Sequence, residues 1–189
     1  LLVLACSLGA CLKSNPPVKS ERYSLPEVQA SATTPQDKPL TKTLVLNKIQ
    51  LADYLDSDRI VVQLDDITLH PARDHLWVDN LSQELRRGLR TRLSSRLADT
   101  AVVDPQPGAP LKATSLQLTI DQFHGQMQGY AVLSGQWQWL SADRTPLQNQ
   151  SFKFTTPLSE SGYPALVRAL GNNLDQLSEQ IAAQLQRAP

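Results

Sequence analysis

The sequence predicts a single α/β domain in which two main helices pack on a layered, mixed β-sheet of about five or six strands. Apolar residues recur every three or four positions in two segments, which is the spacing of a helix face. In several other segments they alternate with polar residues, which is the spacing of a strand. Strands on both sides of the first helix, followed by three consecutive strands, are typical of a mixed sheet that contains an antiparallel meander.

The first eleven residues are typical of the end of a lipoprotein signal peptide. Leu8-Gly-Ala-Cys11 has the small residues that a peptidase needs before a cysteine, and Val3-Leu-Ala-Cys6 is a poorer match to the same pattern. We therefore expect Cys11, or alternatively Cys6, to carry a diacylglyceryl group on its thiol and a further acyl chain on its amine. An ordinary secretory peptide or a fortuitous apolar end are the alternatives. Leu12, rather than Asp, follows Cys11, which favours the outer membrane.

Residues 12–42 are predicted to form a flexible tether, and residues 43–189 the folded domain. Five prolines are interspersed with Ser, Thr, Lys and Gln in the tether, and apolar residues are too sparse to offset the entropy lost on ordering. One exception is Tyr23-Ser-Leu-Pro26, whose alternation predicts a short edge strand ending at the proline. Fully extended, such a tether spans roughly 100 Å.

The first half of the domain is predicted to contain strands on either side of one helix. Residues 43–51, 59–64 and 67–70 have strand character, and Pro71 is expected to end the third. The helix covers residues 79–97, begins at a capping Asp79 or Asn80, and is followed by a short strand at 101–103. Its apolar stripe consists of leucines four residues apart, namely Leu81, Leu85, Leu89, Leu93 and Leu97.

The second half is predicted to be a three-stranded meander followed by a helix. The strands centre on residues 116–120, 133–139 and 152–154, with turns at 125–129 and 141–146. Pro164 suits the first turn of the last helix. Its apolar face has spacings of four and three and comprises Leu166, Leu170, Leu174, Leu177, Ile181 and Leu185.

Composition and motifs argue against several classes of function. Eighteen Lys and Arg balance eighteen Asp and Glu, so the chain lacks the basic excess typical of nucleic-acid binding. No run of 18 apolar residues predicts a transmembrane helix, and no cysteine follows Cys11 to form a disulfide or a thiol nucleophile. The sequence contains neither a Gly-x-Ser-x-Gly elbow nor a phosphate-binding glycine loop. We therefore predict a protein that is not an enzyme and has no cofactor.

Side chains that could ligate a metal lack the required spacing. The three histidines are not arranged as metal-ligand pairs, and the aspartates of residues 53–66 lack the regular spacing and closing Glu of a calcium loop. We expect structural or surface roles for both sets and predict no metal site. These residues are His70, His75 and His124, and Asp53, Asp56, Asp58, Asp65 and Asp66.

Two surface regions are candidates for partner contact. The first is the turn formed by Gln126, Met127 and Gln128, with Tyr130 beside it. The second is a group of arginines on the first helix, away from its leucine stripe, which would suit acidic partners or lipid head groups, although a solvated face is the simpler interpretation. These arginines are Arg86, Arg87 and Arg90, while Arg92 and Arg96 fall nearer the stripe. The tryptophans Trp77, Trp137 and Trp139 are expected in the core, with partner contact as the alternative.

The order of these features resembles the ABC-type transport auxiliary lipoproteins, and among them the intermembrane transport lipoproteins. The resemblance covers nearly the whole chain. It rests on Leu8-Gly-Ala-Cys11, Tyr23-Ser-Leu-Pro26, Val45-Leu-Asn-Lys-Ile-Gln-Leu-Ala-Asp-Tyr-Leu55, His75-Leu-Trp-Val-Asp-Asn-Leu-Ser-Gln-Glu-Leu85, Phe123-His-Gly125, Gly129-Tyr-Ala-Val-Leu-Ser-Gly-Gln-Trp137, Gly162-Tyr163 and Leu177-Ser-Glu-Gln-Ile-Ala182.

The resemblance implies a fold like the N-terminal domain of TolB and a non-enzymatic accessory of lipid transport that maintains membrane integrity. It implies a protein anchored to the outer membrane of a Gram-negative bacterium, facing the periplasm. The implied partners are an MCE-domain needle protein and its inner-membrane transporter, and the implied assembly is a ring of identical copies. Two alternatives are an envelope adapter for another periplasmic partner or peptidoglycan, and a lipid carrier with its own pocket lined by Trp137, Trp139, Phe152 and Phe154.

Overall fold

A computed structural model describes residues 20–28, 39–106 and 113–187. Both cysteines, and with them the predicted lipidation site, lie outside these residues, as does most of the predicted tether. The described residues form nine strands and two α-helices, with a single 3-10 turn at Asp53–Leu55. The strands are β1 (Glu21–Tyr23), β2 (Lys42–Leu46), β3 (Gln50–Leu51), β4 (Arg59–Gln63), β5 (Leu69–Trp77), β6 (Thr100–Val103), β7 (Thr114–Gln126), β8 (Tyr130–Leu140) and β9 (Pro146–Pro157). The helices are α1 (Leu81–Arg96) and α2 (Tyr163–Arg187).

The predicted α/β class, with two helices on a mixed sheet, is confirmed. The sheet has nine strands where the sequence predicts five or six. The difference comes partly from the predicted strand over residues 43–51, which the structure divides into β2 and the two-residue β3, and partly from β1 at the edge. Both helices occupy the predicted segments. An edge strand is present near Tyr23 as β1, but it covers Glu21–Tyr23 and ends before Ser24 rather than at Pro26.

The prediction that Pro71 ends a strand is wrong, because β5 continues through it to Trp77. Pro71 lies opposite Val61 of β4 on one side, while β1 joins the other edge of β5 only from His75 onward. At Pro71 that second edge has no partner strand among the described residues. A proline is tolerated there because the missing N–H breaks no pairing between strands.

The strand β7 connects most of the sheet. Along one edge it pairs in parallel with β2, β3 and β4 in turn, and along the other it pairs antiparallel with β8. The strand β6 then adds to β2, β9 adds to β8, and β5 followed by β1 adds to β4. Since β4 joins β7 at Gly125 and Gln126, the β4–β5 turn is brought beside the β7–β8 turn.

Both helices have an apolar face that is buried in the core, and α1 also has a capped start. The side chain of Asn80 accepts a hydrogen bond from the Ser82 N–H (3.0 Å), which satisfies one of the unpaired donors at the start of α1. The leucine stripe of α1 is buried as predicted, and so is the stripe of α2 up to Ile181, with Leu185 partly buried. The two helices contact each other, and α2 packs on β7, β8 and β9.

Residues 24–28, which we call the N-terminal strap, belong to the folded domain although they lie within the predicted tether. The strand β1 pairs in parallel with β5, and Leu25 is then buried in the core beside α1. Pro26 packs against Gly171 of α2, where an added Cβ would lie only 2.9 Å from the proline ring. The strap therefore contacts both helices, and glycine at position 171 provides the space for it.

A buried arginine binds the strap to both helices. Arg92 is only 2% exposed, and its Nε donates to Asp175 Oδ1 of α2 (2.8 Å). Its other guanidinium nitrogens donate to the carbonyl of Gly88 in α1 (3.3 Å) and to that of Pro26 in the strap (3.1 Å). A buried charge costs much free energy unless it is paired and hydrogen-bonded, and these three acceptors meet that requirement.

We expect Arg92→Met to lower the free energy of unfolding by about 2 kcal/mol, because it leaves the Pro26 carbonyl without its donor and removes the partner of Asp175. Arg168→Met is the matched control: Arg168 lies on α2, is exposed, and has only a distant contact with Glu160 at 3.9 Å. Urea unfolding measures the difference, and limited proteolysis should show earlier cleavage near the strap in Arg92→Met. Equal stability of the two variants would show that Arg92 does not hold the strap.

Candidate docking surface

The predicted contact residues 126–130 lie at one end of the sheet, in the β7–β8 turn. Gly129 has φ of +85°, a conformation that glycine adopts at little cost, and its N–H donates to the carbonyl of Gln126 (2.9 Å). The carbonyl of Gly129 accepts from the N–H of Leu158, which follows β9 (2.8 Å). The backbone of the turn is thus tied to a neighbouring strand, while the side chains of Met127 and Tyr130 remain exposed.

The β4–β5 turn lies directly beside it. The N–H of Met127 donates to the carbonyl of Gln63 (3.0 Å), and the side-chain amide of Gln126 donates to Gln63 Oε1 (3.0 Å). Asp65 Oδ1 accepts from the N–H groups of Ile67 (3.0 Å) and Thr68 (2.7 Å). These hydrogen bonds, first the one from Ile67, lower the pKa of Asp65, so its charge persists as the pH falls.

Together the two turns carry a group of exposed apolar side chains that we call the tip cluster. Its members are Leu64, Ile67, Leu69, Met127 and Tyr130. Ile67 is 87% exposed and Met127 64%. The sequence pattern identifies Met127 and Tyr130 but misses Leu64, Ile67 and Leu69, because all three fall in segments predicted as strands. An isoleucine directly after two aspartates was the available signal.

The arginines predicted as a second contact region are paired with carboxylates of the fold. Arg86 Nε lies 3.7 Å from Asp104 Oδ1, and Arg90 also pairs with Asp104. Arg87 pairs with Glu84 and lies 3.3 Å from Asp79. Because each guanidinium has an internal carboxylate partner, this face carries less free positive charge than the sequence suggests.

Two histidines occupy structural positions. The ring of His75 stacks on Tyr163 with centroids 3.8 Å apart, and its Nδ1 lies 3.1 Å from the hydroxyl of Tyr23. His124 is buried just behind the β7–β8 turn, with Nδ1 3.0 Å from the carbonyl of Gly125. Burial lowers the pKa of His124 below its ordinary value, because desolvation disfavours the charged imidazolium. His70 is exposed on β5.

The side chains proposed to line a lipid pocket are part of the core. Trp137 is fully buried, Phe152 is nearly so, and Trp139 and Phe154 pack against the same core. Trp77, also expected in the core, is buried as well. The exposed face of the sheet instead carries a polar groove of about 590 Å³. Its lining includes Asn47, Lys48, Gln50, Gln117, Gln136 and Gln138, which do not suit an acyl chain.

Within residues 20–28, 39–106 and 113–187, no group of three or more His, Cys, Asp or Glu side chains is placed to hold a metal ion. In the same part of the chain, neither helix combines the length and apolar character that crossing a bilayer requires.

Comparison with known proteins gives the family. Residues 23–182 match the family described as the ABC-type transport auxiliary lipoprotein component. The chain belongs to this family. This match confirms the resemblance drawn from the ordered motifs, and it begins at Tyr23, inside the segment predicted as tether.

Individual relatives agree with this assignment. The chain is similar to the intermembrane transport lipoprotein PqiC of Escherichia coli K12 and to that of Shigella flexneri, each 29% identical over 187 residues, which are 99% of this chain and 96% of the relative. The crystal structure of an uncharacterized protein shares 26% identity and a TM-score of 0.77, over 89% of this chain and 99% of that one. Protein XCC0632 of Xanthomonas campestris shares the fold with a TM-score of 0.71 and 18% identity, over 88% of this chain and 94% of that one.

We expect the buried His124 to make stability depend on pH. Its pKa in the folded state lies below 6.5, so the unfolded chain binds the proton more readily. Stability is therefore fully present above pH 6.5 and is lost as the pH falls through that value. The thermal midpoint of the wild type should decrease when the pH is lowered from 7.5 to 5.5. The decrease should be smaller in His124→Gln. The exposed His70→Gln is the control and should behave as the wild type does; an equal fall in all three proteins would contradict the prediction.

Proposed function

We propose that the protein is an outer-membrane-anchored periplasmic lipoprotein and a non-enzymatic accessory of an MCE/ABC-type intermembrane lipid transport system that maintains membrane integrity. The observation that carries the proposal is the family match over residues 23–182, supported by the similarity to PqiC over nearly the whole chain. In this proposal, the lipoprotein cleavage motif Leu8-Gly-Ala-Cys11 supplies the anchor through acylation of Cys11. The packing of the aromatic side chains into the core argues against a lipid carrier with its own pocket.

The packing of the N-terminal strap supports a shorter tether than residues 12–42. Residues 20–28 are described with the fold, so a tether that ends at Ser20 would have the eight residues 12–19. Eight extended residues span about 28 Å at most, compared with roughly 100 Å for residues 12–42. A lipid on Cys11 would therefore keep the domain at the membrane surface, and the partner would have to extend across the periplasm.

The proposed partners are an MCE-domain needle protein and its inner-membrane transporter component, with no nucleic acid involved. In such docking, the acyl chains would hold the domain at the membrane, and the folded surface of the domain would contact the needle protein. Contact through the face of Arg86, Arg87 and Arg90 remains a proposal, as does a ring of identical copies. The internal pairing of these arginines means that such contact would involve whole ion pairs rather than free charges.

Replacing both cysteines should release the protein from the membrane. Three acyl chains give an effectively permanent anchor, so the double variant Cys6→Ala and Cys11→Ala is expected in the soluble fraction of the envelope, and the single variant Cys6→Ala in the membrane fraction. Cell fractionation with immunodetection measures both. Membrane retention of the functional double variant would reject the anchor, and release of Cys6→Ala alone would move it to Cys6.

Affinity capture tests the partner. The tagged, lipidated protein, isolated from detergent-solubilised membranes, should bring along an MCE-domain protein in near-stoichiometric amount, identified by mass spectrometry. The double cysteine variant is the control for capture that depends on the anchor. Enrichment of a cell-wall or other envelope protein, with no MCE-domain protein, would favour the alternative of a different envelope adapter.

A further inference from the structure

The tip cluster is unusual in where its apolar side chains are found. Eight large apolar side chains are exposed in the described part of the chain, and the five of the tip cluster share two neighbouring turns. The hydrogen bonds that Met127 and Gln126 make to Gln63 keep the two turns together. An exposed apolar group on two hydrogen-bonded turns at one end of a domain is typical of a surface that contacts a partner or a membrane.

The direction of β1 shows on which side the described N-terminal segment enters the sheet. The strand β5 runs from Leu69, in the tip cluster, toward Trp77, and β1 is parallel to it with Glu21 beside His75. Ser20, the residue before β1, therefore lies on the side of β1 that faces the tip cluster.

The distances allow the tip to reach the membrane that holds the anchor. Arg59 of β4 lies beside Leu76, next to the pairing of β1, and Gln63 lies beside Leu69. Four strand residues, or about 13 Å, therefore separate the level of β1 from the tip. The eight residues 12–19 would span up to about 28 Å if fully extended, more than this distance. An acyl chain on Cys11 can thus lie in the bilayer while the tip touches its surface.

We propose that the tip cluster rests in the interfacial region of the membrane that holds the acyl anchor, and that it sets the orientation of the domain. This inference rests on the lipid anchor of the proposed function. The cluster has the composition of an interfacial contact, with aliphatic side chains, a methionine, and a tyrosine whose ring is apolar and whose hydroxyl is polar. The acyl chains already supply the affinity, so the contribution of the tip is to fix which end faces the lipid.

The charge of the tip selects the kind of lipid surface. Asp65 and Asp66 lie in the β4–β5 turn between Leu64 and Ile67, and hydrogen bonds from the turn hold Asp65 in its ionised form. Anionic lipid would repel these carboxylates. The tip is therefore expected to insert into zwitterionic vesicles and to be displaced as the fraction of anionic lipid rises at low salt.

The test places a fluorescent label at the tip of the full, lipidated protein. With Cys11 acylated and Cys6 removed with the signal peptide, no free thiol remains, so Ile67→Cys and Met127→Cys can each be labelled singly with an environment-sensitive dye. Leu147→Cys is the matched control, because Leu147 is also exposed but lies at the start of β9, at the opposite end of the sheet. Each protein is reconstituted in phosphatidylcholine vesicles that contain a nitroxide-labelled lipid.

The expected result is a blue-shifted emission and quenching by the nitroxide at positions 67 and 127, with neither effect at position 147. Equal, solvent-like emission at all three positions, in protein that floats with the vesicles, overturns the inference and leaves the anchor intact. Protein that does not float with the vesicles shows instead that the anchor has failed. Shielding at 67 and 127 only after an MCE-domain protein is added would assign the tip to a protein partner. Disulfide-linked pairs formed by the unlabelled Cys variants on the vesicles would assign it to a second copy.

Discussion

A single strand determines how the rest of this domain is arranged. Because β7 has thirteen residues, it can pair with β2, β3 and β4 one after another along one edge and with β8 along the other. Each partner is held at a set level along β7, so the position of every turn follows from the register. The exposed apolar residues of two turns, distant in sequence, meet at one end for this reason, and the long polar face of the sheet results from the same alternation.

The buried guanidinium of Arg92 holds the N-terminal strap on both helices. It binds α1, α2 and the carbonyl of Pro26, while β1 joins β5 just before the strap. Under the proposed function, the eight residues 12–19 would separate a lipidated Cys11 from the described fold, few enough to keep the domain close to the membrane. The contact that stabilises the helix pair would then also limit how far the domain moves from the membrane.

The arginines of α1 find their counter-charges within the fold. The arginines of α1 pair with Asp79, Glu84, Asp104 and Asp175, in keeping with the zero net charge of the chain. The described histidines serve packing or lie at the surface, and the aromatic side chains fill the core. The proposed accessory role depends on the position of the domain and on the shape of its surface.

The sequence alone determined the features that depend on local patterns. The leucine spacing predicted both helices, alternation predicted the meander, and the ordered motifs identified the family that the comparison confirmed. Tertiary structure alone decided the features that depend on distant pairings. Nothing local to Pro26 or Arg92 shows that they meet, so the sequence does not predict the strap's packing on the helices. The tip cluster likewise joins Ile67 to Met127 through the pairing of β4 with β7. Periodicity reports which face of an element is apolar, whereas only the packed sheet shows which elements, and therefore which exposed side chains, become neighbours.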